Sequence, residues 1–339
     1  MTSSPTASPG AAVLPPARDR TARLLDSLRQ YLLPGLLVVE IAVFALVAPR
    51  FLTVDNIANI GVNAADLALV AAGMTLVILL GGIDVSSGFA VGVVAWVVAR
   101  LMTSGAPSWL VVLAAVLAGV ALGSFNGLLI AVFKVPAIIA TLGTAAIFQT
   151  LLFALWASND LFSAPVAYLL SGARLSGIPV VLGIVLVIYA ALHWVLARRP
   201  FGRDVYAIGS NPEAARLAGI RTRWVTFGPY ALLGGLVGIA ACIYVGRVGV
   251  VQASSGNELT LLAIAAVVVG GTSILGGEGS VVRTLGGLVF IVVLQNGIVL
   301  AGVPPLWNGL MIGLTIIVAV TVDVLAARRG GRGLVGRAA

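Results

Sequence analysis

The sequence predicts an all-α polytopic membrane protein of about ten transmembrane helices, with its two halves arranged as inverted repeats. Hydrophobic residues fill 60% of the 339 positions and charged residues only 9%, a composition outside the range of ordinary soluble domains. Gly, Pro and charge clusters cut this apolar chain into segments near the roughly 20 residues that cross a hydrocarbon core. The basic residues then alternate sides: of twenty Lys and Arg, only Arg50, Arg100, Arg174 and Arg247 fall on the far side when both termini are placed in the cytoplasm. Such a bias sets orientation.

The elements follow in chain order. Residues 1–30 are rich in Pro, Ala, Ser and Thr and turn basic only at Arg18, Arg20, Arg23 and Arg29. A signal peptide would open on its basic region and a short apolar core, so this is expected to be a disordered cytoplasmic tail. The transmembrane domain covers 31–326, with spans expected near 31–49, 61–80, 88–104, 109–132, 136–157, 177–197, 225–245, 260–276, 285–303 and 309–326. Within it Gly81-Gly82-Ile83-Asp84 is either a loop or a break inside a membrane helix. Residues 327–339 form a basic cytoplasmic C-terminal tail.

Between the sixth and seventh spans lies a polar island, 198–224, placed in the cytoplasm by the charge bias. Asn211-Pro212-Glu213-Ala214-Ala215-Arg216-Leu217-Ala218-Gly219 reads as a complete short helix. Asn211 can cap orphan N–H groups, Pro212 suits the first helical position, Glu213 complements the positive end of the dipole, and Gly219 supplies a left-handed stop. So short a helix is unstable alone in water, which marks it as a docking element.

An internal duplication supports the inverted halves. Asn126-Gly127 leading to Pro136 matches Asn296-Gly297 leading to Pro304, and Asp84 matches Glu258, at an offset of five spans. An odd offset reverses direction across the membrane, an arrangement used by transport folds.

Polar residues inside apolar runs are the candidates for a solute path: Asp84, Ser86, Asn126, Thr141, Glu258, Gln295 and Asn296. Asp84, followed by two serines and a glycine, reads equally as a helix cap, and the amides equally as interhelical hydrogen bonders. Other chemistry is absent. His193 and Cys242 are each single, so neither a metal site nor an intramolecular disulfide is expected. Lys134, the only lysine, follows no glycine-rich loop, so the chain cannot hydrolyse ATP itself. Glu40 and Asp66 are the remaining carboxylates in spans and leave an ion-coupled secondary transporter as the alternative function. No enzyme and no nucleic-acid binding is expected.

Four blocks in order carry a resemblance: Gly81-Gly82-Ile83-Asp84-Val85-Ser86, Pro136 through Thr144, Phe201 through Arg216, and Glu258-Leu259 through Ser273. Together they resemble ATP-binding-cassette importer permeases of the ribose and related monosaccharide branch over roughly residues 31–326. Two positions depart from that pattern: Ser87-Gly88-Phe89 stands where Val-Gly-Ser is usual, and Ser210 replaces a usual Gly. Val303 through Asn308 is similar to permeases for rhamnose and for the sugar-like signal autoinducer-2. The resemblance implies a type II importer-like permease in the plasma membrane of a bacterium, moving a pentose, deoxyhexose or related solute. It implies no cofactor on this chain, since ATP binds a partner subunit. The implied partners are a cytoplasmic ATPase, an extracytoplasmic sugar-binding protein, and a second permease copy or a sister permease. Asn211, Pro212, Glu213, Ala214, Ala215, Arg216 and Gly219 would couple to the ATPase, and the loop arginines would meet that ATPase or anionic membrane lipid.

Overall fold

The computed structural model describes residues 20–157, 174–175, 178–307, 309–310, 313–315, 317–318 and 321. Its helices are α1 (Arg20–Val47), α2 (Val54–Leu79), α3 (Ser87–Thr103), α4 (Ser108–Ala131), α5 (Ala137–Ala157), α6 (Val180–Arg198), α7 (Pro200–Ser210), α8 (Pro212–Leu217), α9 (Thr222–Val248), α10 (Asn257–Val269) and α11 (Val281–Leu300). A two-residue hairpin, β1 (Arg174–Leu175) with β2 (Ile178–Pro179), pairs antiparallel before α6.

Among the described residues six helices are long and apolar enough to cross a membrane: α2, α4, α5 over Ala137–Trp156, α6, α9 and α11. One expected span turns out shorter. Thirteen residues of α10 rise only about 20 Å against a hydrocarbon core of about 30 Å, so the span expected at 260–276 stops at Val269. The Gly270 backbone lies against the backbone of Arg283 and Thr284, and Gly271 turns left-handed at φ +81°, which ends the helix. The α3 helix, by contrast, keeps the 17 residues of the span expected at 88–104, displaced by one position. The segment between α2 and α3 is an unwound stretch that, from Gly82 to Ser86, is largely enclosed by protein; non-helical backbone is tolerated at membrane depth only there. At the start, α1 already begins at Arg20, because residues 20–30 are mostly good helix formers and contain no Gly or Pro. The tails 1–19 and 327–339 lie outside the described residues, and the tenth expected span falls partly outside them.

The centre of the bundle is α2, buried at every residue from Ala65 to Leu79, as a helix apolar on all sides must be. Against it pack α9, α10, α11 and α6, while α4 packs on the face of α9 that carries Tyr230, Gly234 and Gly238. Tight approach explains the α4–α9 crossing. Any Cβ on Gly119 would strike the Gly234 carbonyl, and one on Gly123 the Tyr230 carbonyl, so both helices carry small residues four apart. In contrast α1 touches chiefly α11, burying Phe51 and Ala48 beside Val293.

Two helices join the far ends of the molecule. The last carbonyl of α2, at Leu79, accepts a 2.8 Å bond from the Gly277 N–H. Gly209 of α7 sits so close to both groups that no Cβ fits, and the Tyr206 hydroxyl donates to the Gly279 carbonyl at 3.0 Å. After α8 the chain turns directly into α9, whose last turn holds Arg247. At 1.5 Å per residue Arg247 lies about 35–40 Å along α9 from α8.

Candidate functional site

The polar residues of the spans gather into two separate groups. The first surrounds the unwound segment ahead of α3. Asp84 Oδ1 accepts from the Ser86 N–H at 2.9 Å and the Ser86 hydroxyl at 2.7 Å. Asn126 of α4 donates Nδ2 to Asp84 Oδ2 at 3.2 Å and to Ser86 Oγ at 2.7 Å. From α5 the Thr141 hydroxyl lies 3.0 Å from the Ile83 carbonyl and 2.9 Å from that of Ala137. Thr260 of α10, not singled out in the sequence, accepts from the Gly88 N–H at 2.7 Å and so satisfies an orphan donor at the start of α3. All four expected residues here are almost fully enclosed, with Asp84 2% exposed. Asn126 Oδ1 alone has no donor.

The second group is open. A cleft of about 310 Å³ lies between α2, α9, α10 and α11, lined on its polar side by Asn63, Asp66, Arg247, Glu258, Gln295 and Asn296. That volume sits at the lower end of small-molecule sites, roughly 300–1,000 Å³. Arg247 donates Nη2 to Asp66 Oδ2 at 2.7 Å; the Asp66 side chain is fully buried and that of Arg247 is 24% exposed. The second Asp66 oxygen accepts from the Leu67 N–H at 2.9 Å, so the carboxylate is fixed on both sides. The Arg247 guanidinium also lies 5.5 Å from the centre of the Tyr244 ring, and its Nε is buried without an acceptor. Asn296 is held by a reciprocal amide pair with Asn56, at 2.9 and 3.0 Å. Glu258, in the first turn of α10, also lines a neighbouring cleft of about 580 Å³ with Gln252, Ser254 and Asn257.

Sequence therefore found Glu258, Gln295 and Asn296 of the cleft, but neither Asn63 nor Arg247. Asp66 drew notice only as a stray carboxylate, because its partner lies 181 positions away. Glu40 joins neither group: it is 8% exposed in α1, with both carboxyl oxygens unpartnered. Among the described residues no cluster of His, Cys, Asp and Glu could hold a metal ion.

At the other end of the bundle stands the short helix α8. Asn211 Oδ1 accepts from the N–H groups of Glu213 at 3.1 Å and Ala214 at 3.0 Å, Pro212 takes the first helical position, and Gly219 follows with φ +81°. Glu213 and Arg216 pair in the open at 2.6 Å. That hydrogen bond, reinforced by the Arg216 charge, holds the Glu213 carboxyl below its ordinary value. Ala215 is buried, while Leu217 and Trp224 present large exposed apolar surfaces beside it.

Comparison with known proteins gives the lineage. Residues 56–320 match the family described as the permease component of the branched-chain amino acid transport system. Over 280 residues the chain is 33% identical to the autoinducer 2 import system permease protein LsrC of Salmonella paratyphi B, covering 81% of this chain and 80% of that one. It is 32% identical over 308 residues to the protein of the same name from Escherichia coli O157:H7, covering 90% and 86%. For the one from Shigella flexneri the identity is 33% over 276 residues, covering 81% and 80%. No solved structure matches. A matched stretch that takes in most of the helical bundle, and relatives aligned over four fifths of their length, place the sequence: the chain is a multi-pass membrane protein and belongs to the ABC transporter permease family of the branched-chain amino acid transport type.

Proposed function

We propose that this permease carries a neutral, polyhydroxylated, sugar-like solute through the Asp66–Arg247 cleft, driven by a separate ATPase that docks on α8. A permease component of an ABC importer works with an ATPase and a solute-binding protein; which solute and which subunits is the question the cleft addresses. The charge of the cleft is the observation that carries the reading. Its only cation, Arg247, is already matched by Asp66, and Glu258 adds a further carboxylate. A branched-chain amino acid would bring a carboxylate into a cleft whose described lining offers it no unmatched cation and two carboxylates. A neutral polyol needs planar donors and acceptors, which Asn63, Gln295, Asn296, Glu258 and the partly exposed Arg247 guanidinium can supply. The relatives named for autoinducer 2 import favour the same class.

Energy would enter at α8. Its far neighbours α2 and α9 run from the coupling end to Asp66 and Arg247, so a shift of α7 and α8 moves both walls of the cleft in a hinge-type transition. Charge bias supports a cytoplasmic α8 and both termini inside, and a second permease copy or a sister permease would complete the transporter. Inverted halves are supported by the α3–α10 contact, where Gly88 meets Gly256 and Thr260 while Gly92, a turn further on, meets Ser255. Those helices thus cross antiparallel at their N-terminal ends.

Two measurements test the reading. In proteoliposomes holding the permease, its ATPase and its binding protein, neutral sugars should compete for uptake and leucine should not; ATP-driven leucine accumulation would sink the solute class. Glu213→Lys or Gly219→Pro should abolish solute-stimulated ATP hydrolysis while leaving membrane insertion intact, and unchanged uptake with either would sink the docking role of α8.

A further inference from the structure

We infer that Asp66 is the specificity-determining residue of the cleft: by masking Arg247 it makes the permease refuse anionic solutes, an inference that rests on the cleft being the solute site. The geometry separates two properties of one guanidinium. As a donor Arg247 remains available, since Asp66 engages only Nη2 and the side chain keeps 24% of its surface open. As a charge it is spent. Asp66 cannot turn away, because it is fully buried and its other oxygen is held by the Leu67 N–H. A hydroxyl or ring oxygen can therefore accept from Arg247 without needing its charge. A carboxylate entering the same place meets a neutralised cation and the like charges of Asp66 and Glu258.

Replacing Asp66 by Asn keeps the shape of the side chain and removes the mask. The guanidinium is then a partly buried cation without a counter-ion, the situation a protein relieves by binding an anion. A sugar acid supplies that anion. D-ribonate differs from D-ribose in carrying a carboxylate at C1, which makes the two a matched pair of probes.

The experiment uses the full chain in lipid nanodiscs, with two readouts. One is thermal unfolding; the other is protection of a Val299→Cys variant, at an apolar position of the cleft wall, from a thiol reagent against the low background of the buried Cys242. Expected is a rise in the melting temperature of Asp66→Asn of about 2–4 °C in D-ribonate at about five times its Kd, with no shift for the wild type. The double variant Asp66→Asn, Arg247→Gln should lose the response. Should Asp66→Asn fail to fold without an anion, its folded yield should recover in D-ribonate or acetate; failure to recover counts against the proposal. An equal response of the wild type to D-ribonate overturns it. So does a silent Asp66→Asn when D-ribose still protects Val299→Cys in the otherwise native chain. If D-ribose gives no protection there, the solute site itself is misplaced and the proposal falls with it.

Discussion

Asp84 and Asp66 are both fully enclosed carboxylates deep in apolar sequence, yet their surroundings differ in kind. Asp84 is surrounded by neutral donors from its own loop and from Asn126, and it lines neither cleft. Asp66 faces a cation that is still partly open and borders the cleft. Burial of a polar group therefore does not mark a path. We take a partly open charged pair beside open space as the better sign, and on that proposal Asp84 holds the fold while Asp66 addresses the solute.

The sharpest break in this contrast comes from Asp84→Ala. It strips the acceptor from two Ser86 donors and from the Asn126 amide inside the protein, at a cost of about 3 kcal/mol. Folded yield and melting temperature should fall together with uptake, so that uptake per folded molecule stays near wild type. Normal yield with lost uptake would instead put Asp84 on the path and collapse the distinction.

Glu258→Gln probes the other side with a smaller structural effect. Glu258 is exposed at the mouth of both clefts, so stability should stay within about 0.5 kcal/mol. Uptake of a neutral sugar-like solute should nevertheless drop, about tenfold for one lost charged hydrogen bond. If transport per molecule is unaffected, the cleft is a packing defect and not a solute site.

How far these two groups were legible in sequence depends on the range of the interactions that build them. The α8 helix was readable residue by residue, since Asn211, Pro212 and Gly219 act within one or two turns of themselves. So was the importance of Asp84 and Ser86, two residues apart. The Asp66–Arg247 pair was not, because Arg247 stands two residues before the left-handed Gly249 and counts naturally as a loop charge at the end of a span. Only the packing of α9 on α2 carries it into the cleft. The spans show the same divide: the long apolar helices are visible in hydropathy, while the early stop of α10 depends on the Gly270 backbone fitting against Arg283 from α11.

The smallest effect belongs to the exposed pair on α8, and it separates docking from local stability. Glu213→Gln removes the negative charge and one of the two oxygens that accept from Arg216, but both side chains are about two-thirds exposed and solvent screens such pairs almost completely. Because the folded value of the Glu213 carboxyl lies below its ordinary 4.5, any stabilisation is complete above that pH. It is lost only as pH falls through the lower folded value. Between pH 7 and 5, the protection factors of the α8 amides against hydrogen exchange should be flat in the wild type and nearly unchanged in the variant, while ATPase stimulation falls if Glu213 contacts the partner. A variant that loosens α8 at neutral pH would show that the pair holds the helix, and the loss of stimulation by Glu213→Lys would then report unfolding of α8 and not a docking contact.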